Sequence, residues 1–106
     1  MKNYEEMIFE IIIYAGEGKS LAYEALEAAG EEDFKKAEKL LKEADKSFFK
    51  AHDAQTKLMQ DDMENGYDGK LLIMMHAQDQ LMTAVETKDL ISALIKLYKE
   101  KSNGRQ

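Results

Sequence analysis

Histidine is scarce in this sequence: there are two, His52 and His76, and no cysteine. Asp79, Gln80, Thr83 and Thr87 follow His76 at offsets of three, four, seven and eleven. On a helix turning about 100° per residue, those offsets return to one face. A neutral imidazole is a competent phosphoryl acceptor, and amide and hydroxyl donors can hold the incoming oxygens. A second polar set, His52, Gln55, Thr56 and Gln60, lies earlier in the chain, with Gln55 where an apolar residue is due. Ala51 and Asp53 add no chemistry to His52, which reads as a surface or structural histidine.

Other chemistries fail on residue type. A di-iron bundle needs paired Glu-x-x-His, yet Ile73 and Phe49 stand three residues before the two histidines. His-Glu-x-x-His is absent, and without cysteine a closed zinc site is disfavoured. There is no glycine-rich phosphate loop and no Gly-x-Ser-x-Gly elbow. What survives is one histidine with acid, amide and hydroxyl neighbours. Two readings of it stay open: a phosphoryl acceptor, or a buried hydrogen-bond network fixing the register of an oligomer.

The elements that must position these residues are helices. The 106 residues contain no proline and are rich in Ala, Leu, Glu and Lys, which lose little rotamer freedom in a helix. Such a length suits one domain, residues 1–106. Gly30, followed by Glu31, Glu32 and Asp33, marks one break. The cluster Asn65-Gly66-Tyr67-Asp68-Gly69 marks another, with Asp68 as candidate N-cap. Helices are therefore expected over about 3–29, 32–64 and 69–101, with a frayed tail 102–106.

Steps of three and four join Tyr4, Ile8, Ile11, Ala15, Gly18, Ala22, Ala25 and Ala29 in the first helix. Phe34, Ala37, Leu41, Ala44, Phe48, Ala51, Gln55 and Leu58 repeat the pattern in the second. That spacing predicts an antiparallel three-helix bundle of coiled-coil character. Gly16 and Gly18 would let another element approach closely. The third helix carries two apolar stripes: Leu71, Met74, Leu81, Met82 and Val85 on one side, and Leu72, Ile73, Leu90, Ile91, Leu94 and Tyr98 on the other. A three-helix monomer buries one stripe, so the second, which holds the His76 patch, calls for self-association.

Net charge is −6, from 21 acidic and 15 basic residues. No basic stripe is present to displace counterions from phosphates, which argues against nucleic acid. The longest apolar run, Leu71 to Met75, is far short of the roughly 20 residues that span a membrane. No basic segment followed by an apolar stretch suggests a signal peptide, so a cytoplasmic acidic helical protein is expected.

Three strings carry a resemblance to a known family. They are Ala15-Gly16-Glu17-Gly18-Lys19-Ser20-Leu21-Ala22-Tyr23-Glu24-Ala25-Leu26, then Ala51-His52-Asp53-Ala54-Gln55-Thr56-Lys57-Leu58-Met59-Gln60, then Met75-His76-Ala77-Gln78-Asp79-Gln80-Leu81-Met82-Thr83-Ala84. In this order they resemble the lactose/cellobiose-type IIA component of the bacterial phosphoenolpyruvate-dependent sugar phosphotransferase system. The resemblance implies an all-α three-helix bundle assembling as a homotrimer. It implies that His76 takes a phosphoryl group from the phosphocarrier HPr and passes it to a cysteine of the IIB component, for uptake of a β-linked disaccharide through the membrane IIC component. Gln80, Thr83, Gln55 and Gln60 are the candidate phosphate environment. Asp79 matches the family's buried aspartate near the trimer axis, where three carboxylates would share a divalent cation such as Mg2+.

Two positions depart from the family's pattern. Gln80 stands where a second histidine is usual; it exchanges hydrogen bonds but carries no charge near neutrality. Gly18 stands where alanine is more frequent, which bears on local helix stability. Two further functions compete: a histidine phosphotransfer domain of two-component signalling, and a non-catalytic helical oligomer. The former usually has lysine and glycine three and four residues after its histidine, where Asp79 and Gln80 stand here.

Overall fold

A computed structural model of the chain describes residues 3–65 and 71–103. It contains three α-helices, α1 (Tyr4–Gly30), α2 (Phe34–Asn65) and α3 (Leu71–Asn103), and no strand among the described residues. The expected helices are thus recovered to within a few residues. The proposed turn Asn65–Gly69 and its Asp68 N-cap fall mostly outside the described residues. The tail differs from expectation: Ser102 and Asn103 are still helical, and Ser102 Oγ donates to Glu32 Oε1 at 2.8 Å. That bond sets the end of α3 beside the α1–α2 connection, so α1 and α3 run together and α2 runs against them. The bundle is a rod with extents of 61 × 21 × 16 Å.

Each helix boundary has a local cause. Asn3 caps α1 by accepting from the Glu6 backbone N–H at 2.8 Å, with Glu5 and Glu6 in the first turn favouring the positive end of the helix dipole. At the other end Gly30 is not the left-handed residue. Glu32 is, with φ 64, while Asp33 N–H donates to Ala28 and Glu32 N–H to Ala29. This paired return satisfies two orphan carbonyls and ends the helix. Asp33 then caps α2, its Oδ1 accepting from the Lys36 N–H at 3.2 Å.

Packing follows the expected seams. Every seam position in α1 is buried, from Tyr4 through Ala29. In α2, Ala37, Ala44, Phe48, Ala51 and Leu58 are buried, with Phe34, Leu41 and Gln55 partly so. α1 packs closely on both other helices, whereas α2 and α3 meet only lightly. A clasp across that looser side joins Lys88 Nζ to Asp45 Oδ1 at 2.8 Å. Phe34 and Tyr98 stack tilted at 6.0 Å where the rod closes.

Gly18 serves the close approach expected of it. A Cβ there would sit 2.6 Å from the Phe48 ring. Gly16 is exposed with nothing within 4 Å, so the expectation that it admits a neighbour fails within one chain.

α3 differs most from its expected packing. Ala77, Leu81, Ala84, Ile91 and Ile95 are buried against the rest of the bundle. Ile91 therefore belongs to the core and not to an outward stripe, while Met82, assigned to the inner side, is 54% exposed. The buried line runs between the two expected stripes, because the small Ala77 and Ala84 allow the nearest approach. Leu90, Leu94 and Leu97 remain exposed on the far side.

Candidate functional site

His76 lies on α3 one residue before the buried Ala77, and a step of about 100° carries its side chain to the helix flank. It is exposed, and it lines an open groove of about 510 Å³ with Ile73, Met75 and Asp79. Ile73 and Met75 are themselves 51% and 57% exposed. The imidazole is thus framed by apolar surface yet reachable by another macromolecule, the arrangement a transient docking site needs.

The expected polar arc forms on that flank. Gln80 and Thr83 are exposed on the next two turns beyond His76. Thr87 is half-buried and its hydroxyl is engaged, donating to the Thr83 carbonyl at 2.9 Å. Its proton is therefore committed to backbone, which leaves Gln80 and Thr83 as the donors nearest the histidine along the helix. Asp79 is exposed and shares the groove with His76.

The candidates on α2 go elsewhere. Gln55 lines a separate groove of about 250 Å³ between α2 and α3, with Leu58, Met59, Asp62, Met63, Met74 and Gln78. His76 does not line that groove. Gln60 is exposed and, nine residues after the buried Ala51, projects away from the core by about half a turn. Within one chain, neither glutamine is brought to His76. Thr56 spends its hydroxyl on the His52 carbonyl at 3.1 Å. His52 is exposed on α2 and lines neither groove.

Sequence reasoning passed over Met75, which lines both grooves and joins them across α3. The signal was present in the adjacent pair Met74-Met75 and in Met59 and Met63, one turn apart. Among the described residues no group of three His, Asp or Glu side chains could hold a metal ion. Asp79 contributes a single carboxylate, so a shared divalent cation fits this chain only where copies of Asp79 meet.

No helix of the described residues is long and apolar enough to cross a membrane. The family model for the lactose/cellobiose-specific IIA subunit of the PTS system matches residues 6–99. The lactose-specific EIIA component of the PTS system of Staphylococcus epidermidis is 44% identical over 94 residues, covering 89% of this chain and 90% of that one. The lichenan-specific phosphotransferase enzyme IIA component of Bacillus subtilis is 40% identical over 101 residues, covering 95% and 92%.

Two solved structures agree with the fold. The PTS cellobiose-specific enzyme IIA from Bacillus anthracis superposes with a TM-score of 0.86 at 31% identity, over 97% of this chain and 94% of that one. The chitobiose IIA from Escherichia coli, solved in solution as a complex with HPr, gives a TM-score of 0.83 at 33% identity, over 96% and 99%.

Proposed function

This chain belongs to the lactose/cellobiose-specific IIA family of the PTS, a family of phosphotransfer components, and from that premise we propose that His76 is its phosphoacceptor. The observation that carries the reading is an exposed imidazole in an apolar-framed groove, in a chain whose other histidine has no such setting. An imidazole nitrogen attacks the phosphorus of phospho-HPr. The new N–P bond forms as the bond to the donor breaks. A cysteine thiolate of the IIB component then attacks the same phosphorus and frees His76.

Gln80 and Thr83 hold the phosphoryl oxygens as hydrogen-bond donors from the same helix. Gln55 and Gln60 can join them only from a neighbouring chain. That neighbour follows from the outward stripe of α3: three copies that cover Leu90, Leu94 and Leu97 form a homotrimer. Asp79, on the same outward side, meets its counterparts at the axis. There a divalent cation, Mg2+ by preference, offsets the repulsion of three carboxylates.

The chain works in the cytoplasm, upstream of a membrane IIC component that imports a β-linked disaccharide. Lactose, lichenan and chitobiose name the relatives' sugars. The family assignment takes the place of the two-component reading.

Incubation with enzyme I, HPr and labelled phosphoenolpyruvate should give acid-labile phosphate on the chain. His76→Ala should abolish the label and His52→Ala should leave it. Equal labelling of wild type and His76→Ala would sink the assignment, and a stable trimer that no donor phosphorylates would support the purely structural oligomer. Asp79→Leu should remove bound divalent ion, which elemental analysis of the purified protein measures.

A further inference from the structure

Seven methionines and no cysteine make thioethers the only oxidisable sulfurs in this chain. Four of the seven, Met59, Met63, Met74 and Met75, line the single groove between α2 and α3. Their exposure is unusual for so apolar a side chain: Met63 is 86% exposed, Met75 57% and Met59 52%, against 8% for Met7 in the core. Met75 also lines the groove of His76, so one apolar surface runs from the α2 methionines to the phosphoacceptor. Met59 and Met63 project from α2 into that groove, where both are exposed.

We propose that Met59 and Met63 are an oxidation site, and that their conversion to sulfoxides closes this surface to phosphoryl exchange; the second half rests on the function proposed for His76. Each sulfide attacks one oxygen of a peroxide. An S–O bond forms, the O–O bond breaks and water leaves, so that sulfur is oxidised and the peroxide reduced. The product is a polar, hydrogen-bond-accepting side chain in place of a pliable apolar one. A groove whose apolar lining excludes water from a docked partner then holds two strong dipoles that the partner cannot satisfy. Reduction by methionine sulfoxide reductases reverses the change, so the device is a switch.

The full chain is treated with hydrogen peroxide, desalted, and mapped by peptide mass spectrometry. It is then labelled in a time course with enzyme I, HPr and phosphoenolpyruvate. Met59 and Met63 should each gain one oxygen well before Met7. The labelling rate should fall several-fold and return after treatment with the reductases. Met59→Leu/Met63→Leu, which keeps the apolar lining without sulfur, should label at the same rate after peroxide as before it. Three results would each overturn the proposal: Met7 oxidised as fast as the pair, oxidised wild type labelled at the untreated rate, or the double leucine variant equally impaired by peroxide. Untreated protein that takes no label overturns the phosphotransfer reading and the switch with it, while the peptide map separately decides the oxidation site.

Discussion

The two sides of α3 have similar apolar content and opposite fates. Inward, Ala77, Leu81, Ala84, Ile91 and Ile95 pack on the bundle and are nearly inaccessible. Outward, Leu90, Leu94 and Leu97 are 44–63% exposed, although leucine gains as much from burial as isoleucine. Size explains the choice. Two alanines on the inner line let the helix backbone approach closely, so the larger residues around them fill space that the alanines leave. The outer line has no small residue among its leucines, so it presents a ridge that does not fit the groove of its own bundle. His76 stands 18 residues before Leu94, five full turns of the helix, so it shares the exposed outward side with the leucines.

Substitution can break that contrast. Leu81→Ala on the inner side should destabilise the chain by about 2–5 kcal/mol, as truncation of a buried leucine does, seen as a lower denaturant midpoint with unchanged slope. Leu90→Ser with Leu94→Ser on the outer side should change the midpoint of a dilute monomer by no more than about 0.5 kcal/mol. The same pair should abolish the proposed trimer in sedimentation equilibrium. An equal loss of stability from both faces would mean that the outer leucines are covered within the single chain.

The close approach of α1 and α2 yields a smaller effect. Gly18→Ala should cost about 1–3 kcal/mol through overpacking against Phe48, less about 1 kcal/mol of restored helix propensity. Phe48→Leu should relieve it, and thermal melts of the two single variants and the double test this coupling. Smallest is Glu32→Gly. Placing glycine at the left-handed position should stabilise by a few tenths to about 1 kcal/mol, reduced by loss of the Ser102 hydrogen bond. A melt that moves downward would show the bond to outweigh the backbone strain.

Much of the fold was legible because helical periodicity is a local signal. The seam from Tyr4 to Ala29 and its partner in α2 were read residue by residue from spacing alone. The polar arc from His76 to Thr83 was legible for the same reason, since offsets along one helix need no knowledge of its neighbours. Gln55 and Gln60 do not line the groove of His76 within one chain. A helix projection gives each residue an angle on its own axis and says nothing of how that axis is turned toward another. Met75 was missed because a methionine at the end of an apolar run reads as core until the structure shows it on a rim.

By itself, then, the sequence determined three helices, where they break, which residues line the first two seams and which histidine stands among polar partners. Each of those follows from interactions a few residues apart. Only the tertiary structure decided that α3 turns Ala77 and Ile91 inward. It also decided that Gly18 yields to Phe48, that Glu32 and not Gly30 takes the left-handed position, and that Gln55 lines a different groove from His76. These depend on the rotation and depth at which helices dock, which packing volumes set between residues remote in the chain.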